Sequence, residues 1–154
     1  MRYLVAVFFF AFAGCIDAIG PLDPEVGEPL VARCSNVYSD PDNDVSFSLD
    51  ILPMINGATA QPGCIGCLSP EADDPIGFEI TGLNLSSFST LNNGGINSLT
   101  NIVIPGSPCE SIVWQKVSPG PPFGSRMPFN GPPFWNAEAR RLLADWIAEG
   151  ARDN

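Results

Sequence analysis

Proline placement limits this chain to short helices joined by long loops. It has 16 prolines among 154 residues, and six of them lie between residues 119 and 133. Proline fixes φ and lacks an amide hydrogen, so it interrupts a helix or is confined to its first turn. Pro53 has this effect on an apolar stretch of helical character over residues 47–55, which Gly57 ends. We therefore expect an all-α domain of short helices and long, ordered loops.

A capping box predicts the start of one further helix. Ser107 suits the N-cap, Pro108 the first helical position and Glu110 the third, where its carboxylate reaches back to the N-cap amide. This helix is expected to end at Pro119. The apolar residues 102–104 just before it are expected to form a short buried strand or an extended pass.

The last helix has the clearest pattern in the chain. Asn136 suits its N-cap and Gly150 its C-terminal end. Between them, apolar side chains recur at a spacing that places them on one face: Leu142, Leu143, Trp146 and Ile147. We expect this face to pack against the helix over residues 47–55.

The N-terminus is typical of an exported lipoprotein. A basic Arg2 precedes an unbroken apolar run over residues 3–13, which is shorter than the roughly 20 residues that a membrane-spanning helix needs. The run leads into Phe-Ala-Gly-Cys ending at Cys15, which resembles a lipobox. We therefore expect residues 1–14 to be a signal peptide and Cys15 to be acylated, a plain secretory signal being the alternative. The expected location is the outer membrane or cell surface, facing the periplasm or the exterior.

Residues 15–44 are predicted to be the lipidated cysteine and an acidic, flexible tether before a domain over residues 45–154. The segment is rich in proline and acidic residues and has no sustained apolar period. Residues 40–44 have a D-x-D-x-D spacing, for which a solvated linker and weak calcium binding are the two interpretations. The net charge of −10 disfavours nucleic acid as a partner. The expected partners are the membrane, through the lipid anchor, and another envelope protein.

A C-x-x-C pair stands in a chain that has no histidine. Cys64 and Cys67 are followed by Leu68, where c-type haem attachment uses a histidine as iron ligand. The lack of histidine also excludes Ser-His-Asp and Cys-His catalytic arrangements. We therefore expect a protein that is not an enzyme and that most simply has no cofactor.

Four cysteines besides Cys15 remain for pairing: Cys34, Cys64, Cys67 and Cys109. Exported thiols usually form structural disulfides. Cys64–Cys67 together with Cys34–Cys109 would pin the tether to the helix that starts at Ser107, and pairing of Cys64 or Cys67 with Cys109 is the alternative. Other interpretations of the C-x-x-C are haem thioethers, a thioredoxin-type redox pair and a zinc site.

The order of motifs over residues 45–154 resembles that of the cytochrome c-like domains of planctomycete and myxobacterial type, which occur in secreted proteins and lipoproteins. The resemblance rests on C-x-x-C and five segments: F-S-x-D-I-x-P-x-x-N from Phe47, G-L-N-L-S-S from Gly82, I-V-I-P-G-S-P from Ile102, G-S-R-M-P-F-N-G-P-P from Gly124 and A-D-W-I-A-E-G-A from Ala144. The last two are its most specific motifs. The resemblance implies a small cytochrome c-like helical domain.

The same resemblance implies roles for individual residues. In a haem-bearing relative, Cys64 and Cys67 would form thioethers, Met127 would be the distal axial ligand and Arg126 would meet a propionate, but Leu68 stands where the proximal histidine belongs. The predicted function is a haem-free binding or interaction module. The alternative is an electron carrier with haem c and no histidine ligand.

A haem-free domain leaves two interpretations of the space that the macrocycle would take. Met127 and aromatic side chains could fill it: Phe78, Phe88, Phe123, Phe129, Phe134, Trp114 and Trp135. Alternatively a cavity remains and takes a small apolar ligand.

Overall fold

A computed structural model describes residues 30, 34–36 and 39–154 of the chain. The predicted signal peptide, Cys15 and most of the predicted tether lie outside these residues. The described part is helical and has no strand, as expected for an all-α fold. It contains no helix of the length and apolar character needed to cross a membrane.

Short helices and long loops make up the described part of the chain. The α-helices are α1 (Leu52–Ile55), α2 (Ile76–Thr81), α3 (Phe88–Asn93), α4 (Ile112–Val117) and α5 (Ala137–Ala148). A π-helical turn (Phe47–Ile51) runs directly into α1, and 3₁₀ turns occupy Leu99–Ile102 and Pro108–Glu110. Pro53 is the second residue of α1, and because it has no amide hydrogen it cannot donate a helical bond to the π-helical turn that precedes it.

The terminal helix α5 forms as its sequence predicts and anchors the core. The Asn136 side chain accepts a hydrogen bond from the Ala139 amide at 2.8 Å, and Trp146 and Ile147 are fully buried. The Trp146 ring lies 5.4 Å from that of Phe47 and 6.4 Å from that of Phe88. The expected packing of α5 against the 47–55 helical segment is therefore present, and α3 adds a third aromatic ring.

The helix predicted to start at Ser107 is interrupted. Its first residues form the 3₁₀ turn Pro108–Glu110, Ser107 makes no side-chain cap, and α4 begins only at Ile112. The reason is Ser111, whose hydroxyl donates to the Ser107 carbonyl at 3.0 Å and accepts from the Ile104 amide at 2.8 Å. These bonds hold Ser111 in an extended conformation and tie it to the segment before the turn.

Residues of the predicted tether are held on the domain where the structure describes them. Leu30 is buried and its amide donates to the Gly120 carbonyl at 2.8 Å. A disulfide joins Cys34 to Cys109, with their Cα atoms 5.8 Å apart. The predicted boundary at residue 45 therefore does not separate these residues from the folded body.

A buried carboxylate on α5 fastens the stretch that follows Cys34. Asp145 is fully buried, and its oxygens accept hydrogen bonds from the Asp40 amide at 2.7 Å and the Asn43 side chain at 3.1 Å. Arg141 lies 3.7 Å from the same carboxylate. The D-x-D-x-D segment is thus used for internal hydrogen bonding.

Candidate functional site

A backbone hydrogen bond attaches the C-x-x-C loop to the end of α1. The Cys64 amide donates to the Ile55 carbonyl at 2.7 Å, and the Leu68 amide donates to the Cys64 carbonyl at 3.0 Å. The Leu68 carbonyl in turn accepts from the Leu85 amide at 2.9 Å. Leu68 is therefore fixed from both sides, and its side chain packs against the hydrophobic core.

The two sulfurs of the C-x-x-C pair have different surroundings. Cys64 borders a cavity, whereas the Cys67 sulfur accepts a hydrogen bond from the Gly77 amide of α2 at 3.3 Å. Both are free thiols, so neither the Cys64–Cys67 disulfide nor a bond from either to Cys109 is formed. Burial raises the pKa of the Cys64 thiol to about 12, because an apolar surrounding disfavours the thiolate.

An apolar cavity of about 510 Å³ lies between α4 and the C-x-x-C loop. Its volume is within the roughly 300–1,000 Å³ that is typical of small-molecule sites. Aliphatic side chains from three parts of the chain form most of the wall: Leu83, Leu85, Ile102, Ile112, Val113 and Val117. A ligand placed here would be held mainly by apolar contact.

Three positions that the family resemblance singled out meet at this cavity. Cys64, Leu68 and Met127 all line it, although they come from two separate segments of the chain. The Met127 amide donates to the Lys116 carbonyl at 2.7 Å, which fixes the methionine loop beside α4. The cavity is thus the point at which three of the positions named by the resemblance come together.

The residues present do not fit a c-type haem. Leu68 has no lone pair to offer an iron, and the chain has no histidine that could replace it. Cys67, which the resemblance assigns to the second thioether, is directed to α2 by its bond with Gly77 and does not line the cavity. Only Cys64 and Met127 of the predicted haem-binding set border the space.

Arg126 does not line the cavity, and its side chain binds backbone carbonyls. Its side chain donates to the carbonyls of Val117 at 3.1 Å and Trp135 at 3.3 Å. Its guanidinium also stacks over the ring of Phe134, 4.2 Å from the centroid. The predicted propionate contact is thus replaced by bonds that fasten the proline-rich loop to α4 and to the segment before α5.

The aromatic side chains expected to close the space lie mostly elsewhere. Phe123 is the one that lines the cavity, and its side chain is half exposed. Phe88 belongs to the core cluster with Trp146, and Phe129 points to solvent with 78% exposure. Trp135 is buried and donates to the Pro62 carbonyl at 2.9 Å. Of the two interpretations, the remaining cavity is the one that the structure contains.

Sequence reasoning missed Lys116 as a member of this site. It is the only lysine of the chain and the only charged side chain that lines the cavity. Its ammonium donates to the carbonyls of Phe123, at 2.9 Å, and Ser125, and lies 5.2 Å from the Phe123 ring centroid. Partial burial lowers the pKa of Lys116. A lone lysine within the apolar sequence of α4 was the signal that could have identified it.

Neither metal ligation nor similarity to known proteins assigns this site a chemistry. Within the described ranges, no three histidine, cysteine or acidic side chains come together as a metal-binding group. Comparison of the chain with protein-family models, with curated proteins and with solved structures gave no match. The cavity and the residues around it are therefore the basis for a functional proposal.

Proposed function

We propose that this chain is a non-catalytic binding module of the cell envelope, a lipid-anchored protein whose haem-free, cytochrome c-like domain holds a small apolar ligand. The observation that carries the proposal is the cavity of about 510 Å³ bordered by Cys64, Leu68 and Met127. Its walls are aliphatic, and the space lies where the resemblance would place a cofactor that these residues do not fit.

Apolar burial supplies the binding energy in this proposal. Each square ångström of apolar surface removed from water contributes roughly 25 cal/mol. A ligand that fills the cavity therefore gains binding free energy without any polar contact. Part of the wall is held by regular structure and backbone bonds: Val113 and Val117 lie on α4, and the Leu85 amide is bonded to the C-x-x-C loop. A preformed wall lowers the entropy cost of binding.

The test of the binding function is a titration of the full chain with Nile red, a neutral apolar dye. The Cys15→Ser variant is used so that no acyl chain is attached. We expect a saturable rise in fluorescence with one dye per chain. A second titration with Val113→Phe, whose larger side chain would fill part of the cavity, is expected to weaken binding of the dye. Absence of saturable binding at micromolar dye would contradict the proposal.

An electron carrier with unusual haem ligation through Cys64, Cys67 and Met127 is the second candidate. One observation favours it, since Cys64 and Met127 border the same space. Co-expression of the chain with haem-attachment machinery tests it through the Soret band of the purified protein. We expect no band from the natural sequence and a weak band from Leu68→His. A strong band from the natural sequence would favour electron transfer over the binding function.

The lipid anchor and the thiol states are tested by the intact mass of the chain extracted from membranes. We expect a mass that includes acyl chains on Cys15 and no haem. Reduction is expected to add the mass of two hydrogens, because one disulfide joins Cys34 to Cys109 and the other two thiols are free. An increase of four hydrogens would mean that Cys64 and Cys67 are also paired. A mass without acyl chains would contradict the lipoprotein assignment.

A further inference from the structure

One charged group interrupts the apolar wall of the cavity. Of the side chains that line it, Lys116 alone is charged, and Thr81, Asn97 and Ser98 are the other polar ones besides the Cys64 thiol. A ligand in this cavity therefore meets mainly apolar side chains, and Lys116 is the one charged residue on its border. This arrangement suits a molecule that has a long apolar part and one polar end.

The charge of Lys116 has no carboxylate partner in the described part of the chain. Its hydrogen-bond acceptors are the backbone carbonyls of Phe123 and Ser125, and the Phe123 ring centroid lies 5.2 Å away. This is notable in a chain with 17 acidic residues against seven basic ones. A cation that is partly withdrawn from water and not neutralised favours an anionic ligand.

Exposed apolar side chains neighbour the polar lining residues in the sequence. Ile80 precedes Thr81 and is 66% exposed, and Ile96 and Leu99, at 69% and 64%, enclose Asn97 and Ser98 in the sequence. The Ile96 amide donates to the Thr81 carbonyl at 2.7 Å, which brings the two segments together. Exposed apolar surface therefore lies on two of the segments that contribute to the cavity wall.

From these three observations we infer that the ligand is a single-chain amphiphile with a carboxylate head group, of the fatty acid class. Its tail fills the cavity and its carboxylate pairs with Lys116. A monoanionic head group is favoured over a phosphate, because Lys116 is the only cation that lines the cavity and two of its protons already bind carbonyls. The inference rests on the proposed binding function and adds the chemical class of the ligand.

The experiment compares decanoate with decanol, which has the same tail and no charge. Calorimetric titration of the full chain carrying Cys15→Ser is expected to give about tenfold tighter binding of decanoate, which is about 1.4 kcal/mol, because its carboxylate accepts a charge-assisted hydrogen bond. Lys116→Met is expected to remove the preference, so that decanoate and decanol bind this variant with equal affinity. Lys116→Arg keeps the charge and is expected to retain the preference for decanoate.

Several results would overturn the inference. If the chain with Lys116 binds decanoate and decanol with equal affinity, the charge has no role in binding, and the apolar binding function remains intact. An equal loss of affinity for both ligands in Lys116→Met would show that the lysine acts by supporting the 123–127 loop. Tighter binding of decyl phosphate than of decanoate would mean that the preferred head group is a phosphate and not a carboxylate. Failure of both decanoate and decanol to bind, together with failure of Nile red, would instead refute the binding function itself.

Discussion

Burial sets the chemistry of the Cys64 thiol. With its pKa raised from 9.0 to about 12, the thiol stays protonated at pH 8, and the thiolate is the form that reacts with alkylating agents. We expect Cys64 in the folded chain to resist iodoacetamide at pH 8 and to be alkylated in guanidinium chloride. Peptide mass mapping measures both, with Cys64→Ala identifying the peptide. Equal alkylation rates in the folded and unfolded chains would show that the thiol is not buried in solution.

The same shift gives a direction for stability against pH. The folded thiol binds its proton more tightly than the unfolded one, so its contribution to the free energy of unfolding is fully present below pH 9.0. That contribution is lost as pH rises from 9.0 toward about 12. Cys64→Ala is expected to lose less stability over this interval than the natural chain in urea unfolding.

Asp145 is the second residue whose burial predicts a measurable effect. It accepts from the Asp40 amide and from Asn43 in a fully buried position. Asp145→Ala is expected to lower the free energy of unfolding by about 2 kcal/mol, the scale of hydrogen bonds to a charged group. Arg141→Ala is the matched control, because that side chain is 71% exposed and such ion pairs contribute less than about 1 kcal/mol. Urea denaturation of both variants measures the difference, and equal losses would contradict this assignment.

At the level of elements, the approach of α2 to the C-x-x-C loop depends on a glycine. A Cβ atom at Gly77 would lie 2.9 Å from the Cys67 sulfur and 3.0 Å from the Cys67 carbonyl oxygen. Gly77→Ala is therefore expected to lower the free energy of unfolding by about 1–3 kcal/mol, the usual cost of overpacking. The helix would have to move from the loop, which would also change the surroundings of Leu68.

Gly66 offers a control in the same loop. A Cβ atom there would meet nothing within 4 Å, so Gly66→Ala is expected to leave stability unchanged or raise it by up to about 1 kcal/mol through the unfolded state. Thermal unfolding of the two alanine variants gives the comparison. A loss at Gly66 equal to that at Gly77 would mean that flexibility of the loop, rather than contact with α2, is what the glycines provide.

Local patterns predicted some elements and missed others for identifiable reasons. Asn136 and the apolar stripe of α5 predicted that helix, because its cap and its buried face are encoded within one segment. The helix α2 was missed, since Pro75 provides no side-chain cap and no residue of the helix is buried. Its first turn is held instead by the carbonyl and sulfur of Cys67, a contact that no local pattern reports.

At the level of the whole molecule, the candidate site was only half predictable. The motifs placed Cys64, Leu68 and Met127 in one site by resemblance, and the structure brings them to one cavity. The position of Lys116 beside that cavity depends on how α4 meets the 123–127 loop. The number of aromatic residues allowed a filled space, but three of the rings lie elsewhere. Phe88 packs in the core, Phe129 is exposed to solvent, and Trp135 donates to the Pro62 carbonyl.

The fold therefore contains two apolar regions with different packing. Around Phe47 the rings of Phe88 and Trp146 lie 5.2 and 5.4 Å away and leave little room. Between α4 and the C-x-x-C loop, about 510 Å³ is open. Two buried valines of the core differ in their relation to this space, since Val113 lines the cavity and Val45 does not.

Enlarging each valine to phenylalanine tests whether the space exists in solution. Val45→Phe is expected to lower the free energy of unfolding by about 1–3 kcal/mol, because a closely packed core cannot accept the added ring without strain. Val113→Phe is expected to change it by less than about 1 kcal/mol or to raise it, since its ring enters open space and gains apolar contact. Urea denaturation measures both, and Nile red is expected to bind more weakly to Val113→Phe but not to Val45→Phe. Equal destabilisation by the two substitutions would mean that the cavity is closed, and the binding function would then have no site within the described part of the chain.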